Sequence, residues 1–386
     1  MNQKSDLGVS IIACIIALLM CSQIIDEQII KPRLYDGTIN QLGRYSFTFD
    51  GYEYVSENSD NAVIAIGTSK MREIFDGISI GENSTSGADF FNLAYGMDLP
   101  YIRMIEIDYL IEANPSLVII EMGPSTFSQL DDSVWYYNRT IDFMYHLISM
   151  KSFVNEPDWV EYIAESDASK LPLTYSEQKY HWASYGQESF ETTLEYEFNN
   201  TPSPYPCGED GHVRCVPDMN SQEKDYDDYL RYPFQLPNVL AHVKETGTII
   251  NSNGNPYSMP LERYYGIYLD KRIVNPYHNP EGIRNVNHDA LDFIIEKLIA
   301  NDIEILLTGI PYNPVLLDRL EDGKWDYYNQ SMAEYAEDPR INVADMMWDD
   351  DWSDDYFSDL AHASVSGEQF FTSKITPIID EILIDD

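Results

Sequence analysis

The sequence predicts an α/β fold in which helices cover a parallel sheet in three layers, with a large irregular insertion. Three continuous apolar runs, at residues 61–66, 117–120 and 304–311, have the length and composition of strands buried on both faces. Amphipathic helical patterns follow two of these runs, and the order strand, helix, strand implies parallel crossovers. The alternation is lost over residues 150–270, where Tyr, Pro, Asn and Glu dominate.

The predicted elements follow one another in a regular order outside the insertion. A strand at residues 61–66 leads to a helix at 101–113, which Asn114-Pro115 ends, and then to a strand at 117–120. After residue 270 we expect a helix, a buried strand, a helix, a short strand and a closing helix, at residues 289–300, 304–311, 331–337, 341–343 and 367–383. The chain then divides into an anchor or signal (1–27), a lead-in segment (28–60), a first half-domain (61–149), an insertion or cap (150–270) and a second half-domain (271–386).

An uncharged apolar stretch occupies residues 8–25, after Lys4 and Asp6 and before Asp26-Glu27. Its length is at the lower bound for a membrane-spanning helix and exceeds that of a typical signal-peptide core. We expect an uncleaved N-terminal anchor in the membrane, with the rest of the chain outside the cytoplasm at the cell surface. A removed signal peptide and a buried helix are the alternatives.

The charge balance limits the classes of function. The chain has 65 acidic and 24 basic residues, for a formal net charge of -41 at pH 7. Nucleic-acid binding is excluded because it needs cationic side chains that contact phosphates. Disorder is not expected, since 44% of the residues are hydrophobic and 13% aromatic. Because the acidic residues are spread along the whole chain, they indicate the solvated shell of a folded protein in a high-salt, halophilic setting.

The cysteines and the glycosylation sequons agree with a location outside the cytoplasm. Cys207 and Cys215 flank a short polar loop, which predicts a disulfide in an oxidising compartment. A zinc site that includes His212 is the alternative, although no fourth ligand is evident. Asn-x-Ser/Thr sequons occur at Asn83, Asn138, Asn199 and Asn329.

An acidic run, Asp349-Asp350-Asp351, is followed closely by Asp354 and Asp355. Calcium binding is one interpretation, but the run lacks the spaced ligands and the mid-loop glycine of an EF-hand. We favour an ordinary acidic loop and predict neither a metal site nor a cofactor. A metal-dependent hydrolase would require these carboxylates to converge with a histidine.

Residues suited to nucleophilic catalysis follow two of the predicted strands. Ser69 comes directly after the first strand, and Asp359 and His362 follow the last one. In a doubly wound sheet these segments meet at one edge, where ligands bind beyond the carboxyl ends of the strands. A serine nucleophile, a histidine base and an orienting aspartate form a catalytic triad, which we predict here. A helix cap for Ser69 and a structural role for His362 are the alternatives for each residue alone.

With these residues the chain resembles the SGNH, or GDSL-like, hydrolase superfamily. It looks closest to the membrane-anchored branch that includes teichoic-acid D-alanine transfer proteins and polysaccharide O-acetyltransferases. The resemblance covers roughly residues 60–130 and 285–385 and implies a flavodoxin-like sheet. Its motifs are Gly67-Thr68-Ser69 for the nucleophile, Gly96 for the oxyanion glycine, and Asp359, His362 and Gly367 for the closing block.

One motif of the family differs in this chain. The family has Gly-x-Asn, whose amide donates a hydrogen bond to the oxyanion, whereas this chain has Gly123-Pro124-Ser125. Loss of one oxyanion donor typically slows such a reaction by about 10²–10³-fold. Ser125 and Asn92 are therefore the candidate replacements.

The resemblance implies a serine esterase or O-acyltransferase that acts, without a cofactor, on ester groups of cell-surface or exported glycans. Water as the second nucleophile gives an esterase, a sugar hydroxyl gives a transferase, and the sequence does not choose between them. The alternative is a scaffold of the same fold that has lost efficient catalysis and serves as a glycan-binding or assembly protein. The predicted partners are the membrane, through the N-terminal helix, and a glycan or acyl-ester substrate; protein partners are unknown.

Overall fold

The computed structural model describes residues 44–94, 98–127, 230–231, 237–251, 254–273, 286–320, 323 and 325–384. The strands are β1 (Ala62–Ile66), β2 (Asp89–Asn92), β3 (Leu117–Met122), β4 (Thr248–Ile250), β5 (Pro256–Ser258), β6 (Glu304–Gly309) and β7 (Asn342–Asp345). A five-stranded parallel sheet has the order β2-β1-β3-β6-β7, and β4 pairs with β5 in a separate antiparallel hairpin. The predicted α/β class with a parallel sheet is confirmed.

Helices precede, separate and follow the strands. They are α1 (Arg44–Asn58), α2 (Ser69–Ile74), α3 (Gly77–Asn83), α4 (Pro100–Arg103), α5 (Ile107–Glu112), α6 (Val239–Thr246), α7 (Leu261–Ile273), α8 (Val286–Ala300), α9 (Pro314–Leu317), α10 (Asp326–Ala336) and α11 (Val365–Ile384). Single 3₁₀ turns lie at Met104–Glu106, Pro124–Phe127 and Asp354–Tyr356.

The inner strands are the apolar runs that the sequence indicates. Every residue of β1 and β3 is buried, because each strand is paired on both sides and covered on both faces. Their register sets Ala65 beside Ile119, and Ile66 beside Ile120. Both strands therefore end at the same edge of the sheet, where β1 leads into α2 and β3 leads into the Pro124–Phe127 turn.

Several elements differ from the prediction. The lead-in segment contains α1, which packs against α5 and buries Tyr52 and Val55. The helix predicted at 101–113 is divided into α4, a 3₁₀ turn and α5, and it ends as predicted at Asn114, whose φ is 48. Strand β2, which has four residues, was not predicted. The insertion contains α6, α7 and the β4–β5 hairpin, and the boundaries of the predicted domains stay a prediction.

Two expectations are corrected by the structure. Among the residues that it describes, none of the helices combines the length and the apolar character that a membrane crossing requires. These same residues contain no disulfide, since they include no cysteine. The apolar stretch at 8–25 and the pair Cys207 and Cys215 lie outside the described residues. Neither a membrane-spanning helix nor a disulfide is carried into the proposals below.

Candidate active site

Ser69 lies at the point where the strand order of the sheet reverses. From β1 the chain continues to β2 on one side and then to β3 on the other, which makes the carboxyl ends of β1 and β3 the expected ligand crevice. Thr68 is the N-cap of α2, and its hydroxyl accepts a hydrogen bond from the N–H of Lys70 at 3.2 Å. Ser69 is the first residue of α2 and is half-buried.

A buried carboxylate on β3 fixes the turn that carries Ser69. Glu121 accepts hydrogen bonds from the Thr68 N–H at 2.6 Å, the Thr68 hydroxyl at 2.9 Å and the Met71 N–H at 3.2 Å. This approach requires a glycine at position 67, where φ is +154 and an added Cβ would lie 2.4 Å from the Glu121 Cβ. The Gly67-Thr68 pair is thus shaped by Glu121, a residue that the sequence analysis did not single out.

The three predicted triad residues form one chain of hydrogen bonds. The Oγ of Ser69 lies 2.9 Å from the Nε2 of His362, and the Nδ1 of His362 lies 2.8 Å from the Oδ2 of Asp359. An ionised carboxylate can only accept, so Nδ1 carries the proton and Nε2 accepts from the serine hydroxyl. This is the orientation in which a histidine acts as general base toward serine.

The Asp-x-x-His spacing has a local geometric cause. The Oδ1 of Asp359 accepts hydrogen bonds from the N–H groups of Ala361 at 2.7 Å and of His362 at 2.9 Å. This turn folds the histidine back onto Oδ2 of the same carboxylate. The N–H of Ser358 closes the loop on the carbonyl of His362 at 2.9 Å. His362 is buried, with 7% of its surface exposed.

A second carboxylate, Asp354, anchors the segment that carries the histidine. Asn313, which follows β6, donates one hydrogen bond to Asp354 and another to the Asp359 carbonyl. The hydroxyl of Tyr265 and the ammonium of Lys244 reach the Oδ2 of Asp354 at 2.9 Å and 2.6 Å. Three elements that are distant in sequence, α6, α7 and the loop after β6, therefore meet on the Asp354 side chain.

The charges of this anchor perturb one another. Burial by itself would raise the pKa of Asp354, but hydrogen bonds from Lys244, Asn313 and Tyr265 hold it below its usual value. Burial would lower the pKa of Lys244, and the carboxylates of Asp354 and Asp355 raise it instead. Burial and the Asp354 carboxylate together raise the pKa of Tyr265 well above its usual range. The ion pair is therefore fully charged near neutral pH.

The structure treats the three predicted oxyanion donors differently. The amide of Asn92 donates to the carbonyls of Met71, Arg72 and Phe75, so it holds the C-terminal end of α2 and is not directed at a substrate. Gly96 lies outside the described residues. Ser125 is half-buried in the turn after β3, which leaves it as the described side-chain candidate.

The first backbone amide of α2 is a further donor. As the first residue of the helix, Ser69 has an N–H without an intrahelical acceptor. The side chains of Lys70 and Ser125 both lie near Gly123. A Cβ added to Gly123 would be 3.9 Å from the Lys70 Nζ and 4.0 Å from the Ser125 Oγ. The backbone N–H of Ser69 is thus the donor that lies directly at the serine.

Sequence reasoning missed two buried charged residues of α2. Lys70 donates to the carbonyl of Ile310 at 2.5 Å, which ties the nucleophile helix to the loop after β6. The Oε1 of Glu73 lies 3.9 Å from the Nε2 of His362, and Glu73 is only 2% exposed. The charged side chains that directly follow Gly67-Thr68-Ser69 were the available signal of a role near the site. Their burial could not be predicted, because a helix of six residues is too short to show a periodic pattern.

The acidic run is paired with lysines. Lys374 on α11 contacts Asp349 at 3.1 Å and Asp351 at 2.6 Å, and Lys244 contacts Asp355 at 2.8 Å. Among the described residues, no group of three or more His, Cys, Asp or Glu side chains could hold a metal ion. These contacts favour the interpretation of an ordinary acidic loop.

The described sequons, Asn83 and Asn329, are both exposed. Asn138 and Asn199 lie outside the residues that the structure describes.

No protein-family model matches the chain, and no match is found among curated protein sequences.

Proposed function

We propose that the protein is a serine-dependent acyl-transfer enzyme, either an esterase or an O-acyltransferase. One observation carries the proposal: the continuous hydrogen-bonded chain from the Ser69 Oγ through His362 to Asp359. A structural role for a buried histidine would not require it to contact both a helix-initiating serine and a carboxylate in triad geometry. The finer fold, a three-layer SGNH-like and flavodoxin-like sheet, belongs to this proposal and is supported by the strand order β2-β1-β3-β6-β7.

The reaction takes place in two balanced steps. His362 accepts the proton of Ser69 while Oγ forms a bond to the carbonyl carbon of the ester, and the same proton then passes to the leaving alkoxide. Water or a sugar hydroxyl next loses its proton to His362 and forms a bond to the acyl carbon. The bond from that carbon to the Ser69 Oγ then breaks, and His362 returns the proton to Oγ. Asp359 keeps Nδ1 protonated throughout, and the nearby Glu73 carboxylate favours the cationic imidazolium.

The negative charge of the tetrahedral intermediate requires donors at the edge of the sheet. The Ser69 N–H is one, because it begins α2. Ser125, in the turn after β3, is the described side-chain candidate in place of the asparagine of the resembled family. Preorganised donors of this kind are usually the largest single contribution to acyl-transfer catalysis.

The substrate class in this proposal is a glycan ester outside the cytoplasm. Support comes from the resemblance in motifs and from the exposure of Asn83, which leaves that sequon accessible. Fold alone does not imply a substrate, so an assay of the nucleophile comes before any assay of esters.

Reaction with a fluorophosphonate probe in high-salt buffer tests the nucleophile directly. We expect the full chain to be labelled, and Ser69→Ala to abolish the labelling. His362→Ala should slow it by about 10³-fold or more, the scale seen when a triad member is removed. Ser373→Ala is the matched control, since Ser373 is exposed on α11 and donates only to the Phe370 carbonyl. A folded protein that resists the probe, or labelling that persists in Ser69→Ala, sinks the proposal.

A catalytically impaired scaffold is the second candidate. The observation in its favour is that Asn92 is fully engaged with α2 while Ser125 stands in place of the family asparagine. In that case the wild-type chain would fold and bind glycans, but would not react with the probe.

A further inference from the structure

A row of aromatic side chains runs from the nucleophile helix to the surface. The Nζ of Lys70, the residue after Ser69, lies 3.9 Å from the centre of the Tyr312 ring. The ring centres of Tyr312 and Trp325 are 5.3 Å apart, and those of Trp325 and Trp348 are 5.7 Å apart. Tyr312 and Trp325 are buried, whereas Trp348 is 44% exposed. The row connects Lys70, the neighbour of Ser69, with a partly exposed indole ring.

Trp348 lines an open groove of about 630 Å³ between α10 and the edge strand β7. Small and apolar side chains of both elements, including Met332 and Val343, form most of its lining, and Asn329 and Asp345 contribute polar groups. The volume is within the range of small-ligand sites, which combine apolar walls with a few placed polar groups.

The polar and aromatic groups of this groove are held in place before any ligand arrives. The Nε1 of Trp348 donates to the Oδ1 of Asn329 at 3.0 Å. The Oδ1 of Asp345 accepts from the Tyr328 hydroxyl at 2.8 Å and from the Met347 N–H at 3.0 Å. Fixed side chains lose little entropy on binding, so the geometry suits recognition of a ligand of defined shape.

We propose that this groove is a saccharide subsite for a neutral or amine-bearing glycan. The exposed indole face matches the C–H face of a sugar ring, and the Asn329 and Asp345 oxygens match its hydroxyl or ammonium groups. The net charge of -41 and the Asp345 carboxylate oppose an acidic polysaccharide. A protein partner would need a wider apolar surface than one exposed tryptophan offers. The inference rests on the proposed function only in that the glycan bound here belongs to the substrate class proposed for Ser69.

Calorimetric titration of the full-length Ser69→Ala variant tests the subsite without turnover. The probes are cellotetraose, which is neutral, the chitosan tetramer, which carries amines, and tetragalacturonate, which is anionic. We expect one of the first two to bind, and tetragalacturonate to bind at least about 10-fold more weakly. Adding Trp348→Ala should weaken binding at least about 10-fold, while Trp348→Tyr keeps most of it because a flat ring remains.

Tyr257 provides the matched control, because it is equally exposed at 44% and lies on the distant hairpin strand β5. Tyr257→Ala should bind as the parent does. The subsite is overturned if neither cellotetraose nor the chitosan tetramer binds, if Trp348→Ala binds as tightly as its parent, or if tetragalacturonate is preferred. Fluorophosphonate labelling needs no glycan, so labelling without glycan binding rejects the subsite alone, and glycan binding without labelling rejects the triad alone.

Discussion

The backbone of Gly67 decides whether Ser69 can reach its histidine. The residue has a φ of +154, and Glu121 occupies the space where a side chain would begin. The carboxylate of Glu121 also accepts a hydrogen bond from the Thr68 N–H. Gly67 and Glu121 together therefore set the direction of the chain from β1 into α2. The glycine of Gly67-Thr68-Ser69 thus has a steric reason in this chain.

Gly67→Ala should therefore both destabilise the fold and misplace the nucleophile. We expect a loss of about 3 kcal/mol or more, from an unfavourable φ together with a 2.4 Å contact that Glu121 must relieve. Urea unfolding and the rate of fluorophosphonate labelling measure the two effects. The control is Gly81→Ala on α3, where an added Cβ meets nothing nearer than 3.5 Å. Equal stability of the two variants would contradict the role assigned to Glu121.

Residue patterns predicted the triad but not its supports. Ser69, Asp359 and His362 could be found because their chemistry and local spacing are visible in the sequence. The supporting roles of Glu121 and Asn92 could not be predicted, because each depends on a contact that is distant in sequence. Glu121 accepts from Thr68, and Asn92 donates to the carbonyl of Met71. Such long-range pairings leave no local periodicity to be read.

At the scale of elements, Asp354 joins helices α6 and α7 to the segment that carries His362. It binds Lys244 on α6, Tyr265 on α7 and Asn313 after β6. Gly367 completes this packing, because a Cβ there would lie 2.1 Å from the carbonyl of Tyr356, so only glycine lets α11 approach the 3₁₀ turn. The insertion is thus attached to the segment that positions His362.

The Asp354 anchor should make stability depend on pH in acid. A carboxyl whose pKa is lower in the folded than in the unfolded chain stabilises the fold above its unfolded pKa of about 3.9, and this contribution is lost as the pH falls through the folded pKa. Asp354→Asn should therefore cost about 1–2 kcal/mol at neutral pH, a modest value because the cluster is partly exposed.

The difference between wild type and Asp354→Asn should then shrink below about pH 4. Urea unfolding of both proteins from acid to neutral pH gives this difference directly. Asp350→Asn, from the exposed part of the same acidic run, is the control and should remain close to wild type throughout. A difference for Asp354→Asn that is constant with pH would mean that the lost interaction is not ionic.

Elements were predictable where burial on both faces produced long apolar runs. β1, β3 and β6 appear close to their expected positions for this reason. The four-residue β2 and the mixed helix α1 were missed, because their burial comes from neighbours that are remote in sequence. The register that brings β1 and β3 to one edge follows from the α/β class, so the location of the site could be predicted although its oxyanion donors could not.

For the whole molecule, repulsion between the many carboxylates is the dominant long-range interaction. A formal charge of -41 on 386 residues repels itself in dilute buffer and favours expansion of the chain. The ion pairs described above, at Lys244 and Lys374, each neutralise carboxylates only locally. Most of the repulsion must therefore be reduced by ions from the solvent.

Stability should accordingly rise with salt and then level off. The screening length falls from about 10 Å at 0.1 M to about 3 Å at 1 M, so most of the repulsion is removed over that interval. If screening contributes about 2–3 kcal/mol, the melting temperature of a chain of 386 residues should increase by roughly 2–4 °C in KCl. Sucrose, which stabilises by exclusion without screening, is the control and should give a gradual rise without a plateau. A melting temperature that is flat or falls between 0.1 M and 1 M KCl would show that the acidic shell is not the source of a salt requirement.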